Sequence, residues 1–140
     1  RWEQRPAATA GGHLDAHTDT PASRFISHDV LHHVDDIAGT TRAVAELATP
    51  GARWLAIEPN RANPWVAAYH IAAPGERRFK QRALLATASG AGWHVVERFR
   101  MFLIPHALAS PPAALQALED RYEHLPVVSG AVGAVLGRSG

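Results

Sequence analysis

Between Val30 and Ala48 the positions Val30, Val34, Ile37, Thr41, Val44, Ala45 and Ala48 recur at three- and four-residue spacing, the interval that gives one buried stripe on a helix. The segments on either side are short and apolar in a different way. Phe25-Ile26 comes before the stripe, across the polar turn Ser27-His28-Asp29, and Arg53 to Ile57 follows it, across Pro50-Gly51. Neither proline nor glycine continues a helix cheaply, so that pair is expected to stop it. Strand, helix and strand with short connections predict one crossover unit of a parallel sheet. Its polar residues fall just past the carboxyl ends of the two strands, where open α/β sheets hold their ligands.

The pattern continues less regularly. Arg1 to Ala22 shows little periodicity and is broken by Pro6, Gly11-Gly12 and Pro21, so residues 1–22 read as an irregular segment and 23–140 as the folded unit. Trp65 to Ile71 is apolar enough for a short helix or lid, with Trp65 and Tyr69 on one face expected to pack into the core. Pro74 to Arg78 reads as a loop. Phe79 to Ser89 predicts a helix with Phe79, Ala83, Leu84 and Thr87 inward, ended by Gly90-Ala91-Gly92, and Trp93 to Ile104 a long strand. Pro111-Pro112 suits the start of a helix over Ala113 to His124 with the stripe Leu115, Leu118 and Tyr122. Pro126 ends it, and Val127 to Leu136 supplies a final strand rich in glycine and alanine. Arg53 to Ile57 and Ala131 to Leu136 are the strands expected to be most buried.

Composition removes several classes of function. A chain of 140 residues is one domain at most, with enough length for a core. Formal net charge is +1 and no basic run exceeds Arg77-Arg78, which argues against nucleic acid as a partner. Cysteine is absent, so disulfides and thiolate chemistry are excluded. No apolar run is long enough to span a bilayer and no secretory leader is visible, which makes a soluble cytoplasmic domain the default expectation. The first residue is Arg1 rather than Met, which leaves room for residues upstream.

Nine histidines are the compositional oddity, and His28, His32 and His33 cluster after the first strand. His28 and His32 are four apart, which on a helix would set them on one face for a metal, but no third ligand is evident and a zinc site is not expected. Asp35 and Asp36 are explained by the dipole of the helix they begin. Asp15, His17 and Asp19 alternate along the early segment, and an extended chain would point all three the same way toward a hard cation such as manganese. That Asp-Ala-His-Thr-Asp string resembles a ligand motif of the arginase and agmatinase family, a metal-dependent hydrolase class. The family's further "G-G-D-H" and "S-x-D-x-D-x-x-D-P" segments do not occur, and a solvated loop is the preferred reading.

A second resemblance covers about Ser23 to Arg138. Ser27-His28-Asp29-Val30-Leu31-His32-His33-Val34 resembles the segment after the fourth strand of class I S-adenosylmethionine-dependent methyltransferases. Leu47-Ala48-Thr49-Pro50-Gly51-Ala52 is similar to their "L-K-P-G-G" turn before the fifth strand. Ile57-Glu58-Pro59-Asn60, with Asn63-Pro64 behind it, matches the "E-P-N-x-x-N-P" that closes that strand in one branch. Phe79 to Arg98 and Gly130 to Arg138 resemble the following helix and strand and the last strand. Three departures stand out. Ala22-Ser23 replaces the usual Phe-Asp, Ala52 replaces the second glycine, and the cofactor's glycine-rich loop is missing.

The resemblance implies an α/β fold, a partial Rossmann-like methyltransferase sheet of strand order 4-5-7-6 with the last strand antiparallel. It implies S-adenosyl-L-methionine as cofactor and an unidentified small-molecule, lipid or saccharide as methyl acceptor. Methyl transfer from a sulfonium needs alignment and exclusion of water, and a base only where the nucleophile must lose a proton. Imidazole suits that task near neutrality. In the family resembled, the loop after the fourth strand faces the methyl group, so the resemblance implies His32, His28 and His33 as the catalytic candidates, with His32 ranked first. Ser27, His28 and Asp29 are expected at the cofactor, and Glu58 and Asn60 at the acceptor. Because only the second half of such an enzyme is represented, the chain is expected to be part of a longer enzyme or a truncated and inactive relative. The inactive alternative would associate with another chain through an exposed sheet edge near Phe25.

Overall fold

The computed structural model describes residues 21–72, 80–101 and 112–140. Four strands, β1 (Ala22–His28), β2 (Ala48–Pro59), β3 (Trp93–Met101) and β4 (Ala131–Arg138), form one sheet in the order β1-β2-β4-β3. β1 and β2 are parallel, and β4 runs antiparallel to both its neighbours. Parallel strands cannot be joined by a hairpin, and the connection is made through α1 (Ile37–Glu46). α2 (Pro64–Ala72) follows β2, α3 (Gln81–Gly90) precedes β3, and α4 (Ala113–Tyr122) precedes β4. Strand order and the reversed, inserted last strand agree with the partial methyltransferase sheet expected from the sequence.

Register decides which residues share a face. Phe25 pairs with Trp54 and Ser27 with Ala56, while Trp54 and Ala56 pair on their other side with Leu136 and Ala134. These residues line the face covered by α1 and α3, which contribute Ala45, Leu84 and Ala88 to the core. Trp93 completes it, edge-on to both Phe25 and Trp54 at centroid distances of 6.1 and 5.6 Å. Full burial of side chains such as Trp54, Leu84 and Leu136 stabilises the fold by roughly 1.5–3 kcal/mol each. The opposite face carries Arg24, Ile26 and His28 from β1 beside Arg53, Leu55 and Ile57 from β2. Small residues in β4 serve the packing, since a Cβ at Gly133 would collide with the Phe99 ring lying across it.

Local departures from the expected pattern have physical explanations or plain outcomes. The helix does not begin at Val30. A single 3-10 turn, Leu31–His33, comes first, and α1 begins after Asp36, whose carboxylate accepts from the Gly39 amide at 2.7 Å. Asp36 is thus an N-cap rather than a first-turn residue, and Val30 is exposed. Ala48 lies in β2, which starts before Pro50-Gly51. Those two residues occupy an irregularity between the pairs Ala22–Ala48 and Arg24–Arg53, where Gly51 takes φ 76°.

Trp65 is 84 % exposed rather than in the core, and Leu115, Leu118 and Tyr122 on α4 are exposed rather than buried. On α3 the inward positions are Leu84 and Ala88, with Ala83 exposed. Val127 is exposed and precedes β4 instead of belonging to it. Phe79, Ile104 and the Asp15, His17, Asp19 motif lie outside the described residues, as does the Tyr69 side chain.

Candidate functional site at the carboxyl edge of the parallel pair

His28 pairs with Ile57, so the ends of β1 and β2 that carry Ser27, His28 and Glu58 lie at one edge of the sheet. The ladder runs one step further, with the Asp29 amide donating to the Ile57 carbonyl at 2.9 Å. Asp29 then takes φ 57°, in the left-handed region that aspartate tolerates better than most residues, and the chain turns across the strand ends.

Glu58 holds that turn. The residue is 2 % exposed, and burying a carboxylate is costly unless its oxygens accept hydrogen bonds. Here Oε1 accepts from the amides of Val30 at 3.1 Å and Leu31 at 2.8 Å, and Oε2 accepts from the His32 amide at 3.2 Å. Oε2 also lies 2.8 Å from His32 Nδ1. The first amides of a helical turn have no partner within it. No side chain of the turn itself caps them, so a carboxylate from the neighbouring strand does so instead. His32, 3 % exposed, is held with Nδ1 toward the carboxylate, and its ring lies against that of the exposed His33, centroids 3.9 Å apart.

The asparagines past β2 perform a comparable task one strand over. Asn60 Nδ2 donates to the carbonyls of Pro126 and Ser129 at 2.7 and 2.8 Å and to Ser129 Oγ at 2.7 Å. Its Oδ1 accepts from the Ala62 amide. Asn63 Nδ2 donates to the Val128 carbonyl at 3.0 Å, and its Oδ1 accepts from the Trp65 amide to begin α2. Together they fix the turn at 126–129 that leads into β4, which is why Val127 is not in the strand. No group of three or more metal-ligating side chains converges among the described residues.

The sequence-predicted residues therefore separate. His28, Asp29 and His33 are exposed at the edge, where a ligand can reach them. Ser27 is half-buried on the helix-covered face, its hydroxyl accepting from Trp54 Nε1 at 3.1 Å. Glu58 and Asn60 are buried, and their polar atoms are engaged within the chain. Sequence reasoning missed the amides of Val30 and Leu31 as partners of Glu58, and Ser129 as the partner of Asn60. The Glu58-Pro59-Asn60 and Asn63 spacing signals the anchoring side chains, whereas nothing local to Ser129 signals its distant role.

No protein-family model matches the sequence, and no curated protein matches it either. Solved structures do. A SAM-dependent methyltransferase from Archaeoglobus fulgidus is similar with a TM-score of 0.64 at 8 % identity, over 86 % of this chain and 61 % of that one. A candidate methyltransferase of Haloferax volcanii, solved in complex with a methyltransferase activator, is similar at 0.62 and 18 % identity, over 87 % and 56 %. A [4+2]-cyclase is similar at 0.56 and 15 % identity, over 89 % and 52 %. This chain thus spans between half and two-thirds of the length of each of these proteins. Its fold is that of part of a class I SAM-dependent methyltransferase. The cyclase shows that a protein with this fold can carry another reaction.

Proposed function

We propose that the chain is the carboxyl-terminal part of a methyltransferase that uses S-adenosyl-L-methionine to methylate a small-molecule, lipid or saccharide acceptor. The observation that carries this is the clamp of Glu58 on residues 30–32, at the strand edge of a chain with that fold. A fixed post-strand segment is what an in-line transfer needs, because the reaction depends on positioning rather than on covalent help.

The cofactor supplies an activated methyl group on a sulfonium. Tested against that requirement, the described residues fit one wall of its site. His28 and Asp29 are exposed at the carboxyl end of β1 and are rigidly based, whereas no glycine-rich turn following a strand occurs among the described residues. Ser27 would contribute through its backbone, since its hydroxyl is turned to Trp54. His28 or His33, both exposed, would take the acceptor's proton. His32 and Glu58 would act as positioning residues, and Asn60 would act through the turn it anchors.

The test uses the polypeptide encoded by the complete reading frame. Equilibrium dialysis with labelled S-adenosylmethionine should show saturable binding. Methyl transfer to a panel of hydroxyl and amine acceptors should fall about a hundredfold in His28→Ala or His33→Ala, the usual size of a general-base contribution. Absence of cofactor binding would overturn the proposal.

The second reading is an inactive domain that associates with another chain. β1 pairs with β2 alone among the described residues, and Ile26 on it is 59 % exposed. Sedimentation equilibrium of wild type and Ile26→Lys discriminates: a dimer abolished by the lysine supports association, and a monomer in both removes it. The metal-dependent hydrolase reading rests on Asp15, His17 and Asp19, outside the described residues, and no observation favours it.

A further inference from the structure

A row of nitrogen-bearing side chains crosses the sheet face that α1 and α3 leave uncovered. Arg24 on β1 is the register partner of Arg53 on β2, Arg53 that of Gly137 on β4, and Gly137 that of His94 on β3. All three side chains are exposed. At Gly137 the row has a notch. A Cβ built there would sit 2.5 Å from Arg53 Nη1 and 2.7 Å from His94 Nε2, so guanidinium and imidazole meet over the same glycine from opposite sides. Gly137 does not adopt a positive φ, so space rather than backbone conformation is what glycine provides here.

The row is electrostatically incomplete. Like charges at directly opposed positions of neighbouring strands are destabilising. Neither guanidinium is in an ion pair among the described residues. Arg24 donates to the carbonyl of its neighbour Ser23, a local contact that neutralises nothing. Glu97, one row along on the same face of β3, forms no ion pair among the described residues either. Ser139 Oγ lies 3.5 Å from His94 Nδ1. With that hydroxyl donating to Nδ1, the ring proton sits on Nε2, at the notch, and adds a third donor to the two guanidinium forks.

We propose that Arg24, Arg53 and His94 form a binding site for a tetrahedral oxyanion, a phosphate or sulfate group, seated on the solvent side of the Arg53 and His94 groups that meet over Gly137. Planar guanidinium groups bind such oxyanions through paired, charge-assisted hydrogen bonds. The anion would cancel the repulsion between Arg24 and Arg53 that the fold otherwise carries. The site is separate from the carboxyl edge, because Arg53 and Glu58 lie about 16 Å apart along one extended strand. It is also independent of the methyltransferase reading.

Calorimetric titration of the full chain with inorganic phosphate at low ionic strength, with chloride as the control anion, tests the site. Saturable binding of phosphate is expected, weakened at least about tenfold in Arg53→Gln and in Arg24→Gln. Arg82→Gln, an exposed arginine on α3, should leave it unchanged. All these substitutions lie at exposed positions, and circular dichroism confirms that each variant is folded. A thermal-shift series should show phosphate raising the midpoint of wild type but not of Arg53→Gln. Vesicles with and without phosphatidic acid form a second arm. Binding of free phosphate assigns the site to small ligands, and sedimentation with acidic vesicles that Arg53→Gln loses assigns it to a lipid headgroup. No saturation in either arm, or equal losses in Arg53→Gln and Arg82→Gln, would overturn the proposal.

Discussion

His32 Nδ1 lies 2.8 Å from Glu58 Oε2, joining residues 26 apart in sequence across the end of the parallel strand pair. The contact belongs to a larger arrangement in which one buried carboxylate also takes three consecutive backbone amides. Glutamine in place of Glu58 keeps the volume but offers a single acceptor oxygen and turns an NH2 group toward donors. Removing one partner of a buried, charge-assisted network costs about 3 kcal/mol. Urea denaturation of Glu58→Gln should show a loss of that order, with amide exchange accelerated at Leu31 and His32. A loss under about 1 kcal/mol would mean that the carboxylate does not hold the turn.

Asn60 and Asn63 converge on the turn at 126–129, and their effects should not add. Asn60→Ala takes the donor from the Pro126 carbonyl and leaves the Ser129 carbonyl with only the longer bond from Asn63, which costs about 2 kcal/mol. Asn63→Ala should cost less, since its shortest bond to that turn is 3.0 Å. Once either anchor is gone the turn is already loosened, so the double variant should lose less than the sum of the two by at least about 0.5 kcal/mol. A double-mutant cycle from chemical denaturation measures this directly, and strict additivity would show that the two amides act on separate structures.

How much of this was legible beforehand differs by level. The parallel unit from Phe25 to Ile57 was readable, because a 3.6-residue stripe between two apolar runs has few other solutions. Its boundaries were not. Val30 fits the helical stripe, yet the turn there is governed by Glu58, 28 residues away, and no local periodicity can register that. Strand order came through the family resemblance, since β4 pairs with β2 and β3 through contacts that leave only small residues as a trace. At the site, residue types were readable while directions were not. Glu58 and Asn60 read as polar groups past a strand end, and whether they turn inward depends on amides and carbonyls supplied by distant segments.

Two glycines with positive φ should respond differently to alanine. Gly51, φ 76°, has open space around the Cβ position, so Gly51→Ala carries the backbone cost alone, about 1 kcal/mol. Gly92, φ 83°, would drive its Cβ into the Arg138 guanidinium, which donates to the Ala91 carbonyl at the end of α3. Gly92→Ala must therefore displace that contact as well, and should cost about 1 kcal/mol more than Gly51→Ala. Pairing Gly92→Ala with Arg138→Ala should recover the difference, because the displaced group is then absent. Equal midpoints for the two single alanine variants would contradict this.

Trp54 and Trp93 touch in the core but differ at their indole nitrogens. Trp54 Nε1 donates to Ser27 Oγ at 3.1 Å, whereas Trp93 Nε1 is buried without a hydrogen-bond partner among the described residues. Replacing either by phenylalanine removes part of the bicyclic ring and leaves a cavity, and that part of the cost is similar for the two. The polar part is opposite in sign. At Trp54 a made hydrogen bond is lost, about 1 kcal/mol. At Trp93 an unsatisfied donor whose burial costs about 1–3 kcal/mol is relieved. Trp93→Phe should therefore be at least about 1 kcal/mol more stable than Trp54→Phe in the same denaturant series. The reverse order would mean that the Trp93 nitrogen has a partner in solution, and protection of its indole proton from exchange would identify it.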